Sequence, residues 1–162
     1  FKNASQLLSA IEDQMEQGIM LKNEYFLADA INILLKRGLN IRAEEVDVWL
    51  DAGTPATLLE TNRYLLEHGR ANLQDNGAFD DNIIIPPVFI HPEARVNTSI
   101  IGPFVSIAAG SIIHNSTIKD SILSQGAHIT NAQLDGSLLG YDVVINGMKG
   151  KFNLGDNSWA NW

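Results

Sequence analysis

The sequence predicts a mainly β fold: a parallel β-helix of about four coils over residues 83–162, preceded by an incomplete, helix-rich α/β segment. Two observations carry this reading. Aliphatic residues recur every five or six positions, at Ile90, Val96, Ile101, Ile107, Ile113, Ile118, Leu123, Ile129, Leu134, Leu139 and Ile145. They sort into three columns: Ile90, Ile107, Leu123 and Leu139 are spaced 17, 16 and 16 apart, and Val96, Ile113, Ile129 and Ile145 keep the same step, as do Ile101, Ile118 and Leu134 with 17 and 16. Three columns in step mean a three-faced coil that stacks on itself, a repeat architecture rather than a sheet of independent strands. The positions two residues before these aliphatics are all Ala, Ser or Val, from Val88 to Val143. Side chains alternate in and out along a strand, so those residues share the interior near a corner, where a larger side chain would overfill it. Stacked aliphatics exclude water, each contributing roughly 1.5–3 kcal/mol on burial. An antiparallel sandwich would need hairpin turns between its strands, yet Asn-Gly occurs only at Asn76-Gly77 and Asn146-Gly147, outside the repeat or at its end.

Residues 1–68 read differently. Ser5 is placed to cap a helix carrying Leu7, Leu8, Ile11 and Met15 and ending at Gly18. A second helix is expected over Asp29 to Arg37, stopping at Gly38. Alternating apolar residues from Ile41 to Leu50 suggest a strand, though the alternation slips at Glu44-Glu45. Thr54-Pro55 then starts the clearest helix, running to His68 with Leu58, Leu59, Leu65 and Leu66 as its apolar stripe. One strand with three helices cannot complete a doubly wound sheet, so most of such a sheet is expected outside this chain. Residues 69–82 are polar and turn-prone and read as a linker.

Bulk properties narrow the function. The 162 residues are 45% hydrophobic and 19% charged, ordinary for a globular protein. A net charge of −8 argues against a nucleic-acid partner, and no apolar run approaches the ~20 residues of a membrane span. The absence of cysteine excludes disulfides and thiolate metal sites and fits a cytoplasmic setting. A first residue of Phe1, with no signal-peptide pattern behind it, leads us to expect a piece of something longer.

The local puzzle is "EEVDVWLDAGTP", residues 44–55, where an apolar alternation ends on a carboxylate just before a helix start. On residue type alone Asp51 is an Asx-turn former that shapes the connection. The repeat, however, resembles the hexapeptide-repeat family, whose coils form a left-handed parallel β-helix. Together with Trp49 to Pro55 (W-x-D-x-G-T-P) and Glu24 to Asp29 (E-Y-x-L-x-D), it resembles the C-terminal half of a sugar-1-phosphate nucleotidyltransferase of the glucose-1-phosphate thymidylyltransferase type. That resemblance implies Mg²⁺ as cofactor with Asp51 as a metal ligand. It implies Lys22, Glu24 and Trp49 in substrate binding, and a sugar-1-phosphate and a nucleoside triphosphate (dTTP or UTP) as substrates. Lys22 stands where some relatives carry arginine and supplies charge without a two-pronged clamp. Ala28 stands where relatives often have Thr, leaving Asp29 to cap the helix.

The family's Gly-rich triphosphate loop is not in this sequence. The chain alone is therefore expected to be inactive, its catalytic set incomplete. Two other readings compete. An acetyl-CoA-dependent acyltransferase would use a histidine base, and His91, His114 and His128 each lie beside an inward aliphatic, so each should point outward. A stand-alone oligomerisation module would use the flat coil faces to make a homo-oligomer, with Phe104 and Tyr141 as contacts and Trp159 and Trp162 covering the open column end.

Overall fold

A computed structural model describes residues 3–73, 77–79 and 81–162. The chain divides into two units, Phe1–Val48 and Trp49–Trp162.

In the first unit, α1 (Ala4–Glu16) and α2 (Leu27–Lys36) pack around Ala10, Ala30, Ile33 and Leu34. Leu7, Ala10, Ile11 and Gln14 fall at helical spacing and form the inward face of α1, whereas Leu8 and Met15 are exposed. Gln14 is buried among them because its amide has work to do. It donates to the carbonyls of Ile19 and Phe26 at 3.2 and 3.1 Å and so ties down the connection between the helices. The N-cap is Asn3, not Ser5: its Oδ1 accepts the amides of Ser5 and Gln6. Asp29 likewise lies inside the first turn of α2, whose N-cap is Phe26 with no side-chain bond. Gly18 and Gly38 take positive φ and end the two helices as expected.

The strand expected between Ile41 and Leu50 does not form; residues 39–54 are irregular, and Val46, Val48 and Leu50 are exposed. A strand needs a neighbour to pair its backbone, and the described residues offer this one none.

The second unit is the stacked column. Five parallel segments build each ribbon. The first stacks Val88–Ile90, Val105–Ile107, Ile122–Leu123, Leu138–Leu139 and Asn153–Leu154. The second runs through Arg95–Asn97, Ile112–His114, His128–Thr130, Val144–Asn146 and Trp159–Asn161, and the third through Asn82–Ile84, Ile100–Ile101, Thr117–Lys119, Gln133–Asp135 and Lys149–Gly150. Each predicted column is a line of register partners: Ile90, Ile107, Leu123 and Leu139 pair in order, as do Val96, Ile113, Ile129 and Ile145. One antiparallel pair, Gly77–Phe79 with Asn82–Ile84, precedes the first coil. The hairpin-linked sandwich is thereby excluded.

There are about five coils rather than four. The extra rungs carry Ile84 at one end and Gly150, Leu154 and Ala160 at the other, in register with the columns. The last rung escaped the aliphatic pattern because two of its three inward residues are Gly and Ala. Trp159 and Trp162 do not cover this end; they are 70% and 95% exposed. Of the linker expected over 69–82, residues 74–76 and 80 lie outside the described residues. Within it, Asn72 bonds both the amide and the carbonyl of Ile90, and Leu73 bridges Val88.

The small inward residues do more than save space. At two corners a serine hydroxyl accepts the amide of the matching position one coil on: Ser99 from Ser116, Ser116 from Ala132, Ser121 from Ser137 and Ser137 from Phe152, all at 3.0–3.1 Å. Three of these hydroxyls also donate to the carbonyl two residues earlier, at Asn97, His114 and Lys119. Where strand pairing lapses at a bend, the hydroxyl takes over as acceptor, and among the described residues no buried side-chain polar atom lacks a partner. The bends use the left-handed backbone region at Thr98, Asn115 and Asn131 on one edge, Asp142 and Asn157 on another. Asn and Asp tolerate it better than other side chains. Gly102 (φ +108) is tighter still: a Cβ there would lie 1.8 Å from the Ile85 carbonyl oxygen.

Two substitutions check this packing. Gly102→Ala should lower unfolding free energy by about 3 kcal/mol or more, combining overpacking with backbone strain, read from the urea midpoint. Ser116→Ala strands the Ala132 amide and should cost about 1–3 kcal/mol in the same titration. A third check is pH. The hydroxyl of Thr98 donates to Asp81 at 2.6 Å and holds its carboxyl below the ordinary value. That contribution exists above the unfolded carboxyl pKa and is lost as pH falls through the depressed folded value. The stability gap between wild type and Thr98→Ala should therefore narrow on acidification.

Candidate functional site

The stretch around Asp51 opens the second unit. After Asp51 the chain enters α3 (Pro55–Leu65), which is started by a reciprocal cap: Thr54 Oγ1 accepts the Thr57 amide at 3.2 Å, and Thr57 Oγ1 accepts the Thr54 amide at 3.0 Å. Pro55 occupies the first helical turn, where its missing N–H costs nothing. Asp51 is exposed and makes an Asx bond, Oδ1 accepting the Gly53 amide at 3.0 Å. Its own carbonyl accepts the hydroxyl of Thr61 at 2.6 Å. Oδ2 has no hydrogen bond among the described residues. With the strand absent, Asp51 does not stand at a strand end; the Thr61 hydroxyl of α3 and the Gly53 amide hold it instead.

The helix is seated on the column. Leu59, Asn62 and Leu66 form its buried face at i, i+3 and i+7, while Leu58 and Leu65 of the expected stripe are partly exposed. The buried asparagine is the informative member: Nδ2 donates to the Phe104 carbonyl at 3.2 Å, and Oδ1 accepts the Ser106 hydroxyl at 2.6 Å. Beside it Arg63 grips Asp120 with two prongs, Nε to Oδ1 at 2.6 Å and Nη2 to Oδ2. The hydrogen bond to Asp120 and that residue's charge raise the Arg63 pKa above its ordinary value, against an opposing effect of partial burial. None of Thr61, Asn62, Arg63 or Asp120 stood out in the sequence. The available signals were a polar residue at a core position of an amphipathic helix and an aspartate at a bend, neither specific by itself.

Lys22 and Glu24 lie in the first unit. Lys22 and Asn23, with φ of 51° and 65°, form a two-residue turn closed by reciprocal bonds between Leu21 and Glu24 at 3.0 Å. Both side chains are exposed. Trp49 shares the second-unit loop with Asp51 and is 85% exposed. The pairs Lys22–Glu24 and Trp49–Asp51 are thus each assembled locally, in separate units. His114 and His128 are exposed on the outer face of the second ribbon, as alternation requires, and His91 is half-buried. Among the described residues no group of three or more His, Asp or Glu side chains could hold a metal ion. Asp51 therefore fits Mg²⁺ only as one oxygen donor among several, which is how Mg²⁺ is commonly held when substrate phosphates and water complete its shell.

The second unit is thus a parallel β-helix with an N-capped helix docked on it, entered through W-x-D-x-G-T-P. The chain is similar to a glucose-1-phosphate thymidylyltransferase of Streptomyces griseus, 26% identical over 142 residues covering 76% of this chain, and to one of Streptomyces antibioticus at 27% over the same coverage. It spans 40% of the length of these relatives. No family model matches the chain. No helix of the described residues is long and apolar enough to cross a membrane.

The seat of α3 is open to test. Asp120 has a side chain 10% exposed, while Arg63 is 45% exposed, so solvent screens part of the pair. Asp120→Asn should cost about 1–2 kcal/mol in chemical denaturation, well under the 3–5 kcal/mol of a fully buried pair.

Proposed function

We propose that this chain is part of a nucleotidyltransferase that joins a sugar-1-phosphate to dTTP or UTP. In that reaction a phosphate oxygen of the sugar attacks the α-phosphorus of the triphosphate, and pyrophosphate leaves. The observation that carries the reading is the Asp51 carboxylate, fixed through one oxygen and open at the other, at the entrance to a capped helix. The relatives' names support the substrate class. Mg²⁺, when bound, would offset the negative charge brought together by the two substrates. Asp51 contributes one hard oxygen ligand. Lys22 is assigned to the sugar phosphate, and Glu24 and Trp49 to substrate binding. The column contributes assembly: its outer ribbon faces, with Tyr141 exposed on one edge, are surfaces for a homo-oligomer in a cytoplasmic setting.

Three measurements test it. In the full-length protein that carries this chain, Asp51→Asn should cut Mg²⁺-dependent pyrophosphate release by about 100-fold or more, a typical loss for a metal ligand in phosphoryl chemistry. Activity unchanged by the substitution would refute the ligand assignment. The purified 162-residue chain should release no pyrophosphate from a sugar-1-phosphate with dTTP or UTP, and light scattering at micromolar concentration should give a mass above the monomer.

A further inference from the structure

The three faces of the column present different surfaces. The first carries α3, whose Asn62 bonds Ser106 of that ribbon. An outward line of the third reads Ile83, Ile100, Thr117, Gln133 and Lys149 in register order. The second ribbon presents two outward lines, Arg95, Ile112, His128, Val144 and Trp159 beside Asn97, His114, Thr130, Asn146 and Asn161. All but Thr130 are exposed. None of these residues is acidic, in a chain that carries 19 Asp and Glu and a net charge of −8.

The line from Arg95 to Trp159 complements itself when reversed. A second copy can be turned end over end about a two-fold axis that lies between the faces, along the His128–Thr130 strand. Arg95 then faces Trp159 of the second copy, Ile112 faces Val144, and His128 faces its own counterpart. A guanidinium over an indole ring is an attractive cation–π contact, and Ile112 against Val144 removes apolar surface from water. The neighbouring line sets Asn97 against Asn161, His114 against Asn146 and Thr130 against its counterpart, side chains that can donate and accept hydrogen bonds. The third face fails the same operation, since Ile83 would meet Lys149 and Ile100 would meet Gln133. Copies of a strongly negative chain repel, and a face without carboxylates is where they approach at least cost. We infer that the second ribbon is an interface for a second copy of this chain, with the two columns antiparallel. The inference rests on the reading that the column contributes assembly, and it names the face and its contacts. An isologous contact of this kind closes at a dimer.

The test is a charge-swap cycle in the 162-residue chain, read as the dissociation constant from sedimentation equilibrium. Arg95 and Trp159 stand four rungs apart in one column, about 19 Å at one strand spacing per rung, too far to touch within a copy. Arg95→Glu sets a carboxylate against the indole face, and Trp159→Arg sets arginine against arginine. Each should weaken the dimer about tenfold, because the two-fold axis repeats the contact. The double variant Arg95→Glu/Trp159→Arg sets glutamate against arginine and should recover most of the loss. Thr117→Glu, exposed on the third face, should leave the constant within about twofold at 0.15 M salt. An assembly indifferent to both single substitutions, equally weakened by Thr117→Glu, or not recovered in the double variant would overturn this interface and leave assembly standing. A wild-type chain that stays monomeric at tens of micromolar would remove the assembly reading and this inference together.

Discussion

Register is the constraint on which the second unit depends. Parallel coils stacked at one strand spacing, about 4.8 Å, oblige each inward residue to lie on its counterpart in the coil below. Ile107 rests on Ile90, Ile113 on Val96 and Ile118 on Ile101, and the fit of any one rung presupposes the others. The bends are governed by the same requirement. Each must turn the chain onto the next face within a few residues and still leave its amides satisfied, which explains why left-handed Asn, Asp and Gly stand outside while serine hydroxyls stand within.

The column also supplies a rigid seat. Asp120 lies at a bend with φ near +46°, a backbone fixed by its coil, so its carboxylate is presented to Arg63 from a frame that side-chain motion alone cannot shift. Helix α3 is tied to that frame through Asn62 and Arg63, and the loop bearing Asp51 is tied to α3 through the Thr61 hydroxyl. A flat repetitive scaffold thus gains one irregular attachment.

Much of this was legible from residue order because burial in a β-helix is periodic. The lines through Ile90, Ile113 and Leu134 could be drawn before any coordinates, and so could the capped start of α3 at Thr54-Pro55. Legibility failed where the physics is not periodic. The last rung was hidden because Gly150 and Ala160 are not aliphatic markers, and the cap of α1 because Asn3 and Ser5 are equally plausible acceptors. The strand before Asp51 was written in a pattern that describes a pairing partner, and pattern alone cannot say whether the partner is there. Asn62 and Arg63 carry the docking of α3, yet their partners lie 42 to 57 residues away, and no local rule links them.

The coils shorten as they climb. Steps of 17 residues between the first rungs become 16 and then 15 at the last, as from Ile90 to Leu154 and from Val96 to Ala160. The lost residues come out of the bends, since the inward side chains stay in line throughout. Insertions and deletions in such a molecule therefore sort into two kinds. One placed at a bend alters only the edge, while one placed within a flat face turns the rest of that strand inside out up to the next bend. Drift in the length of related chains should accumulate along the three edges, and the faces should keep their count.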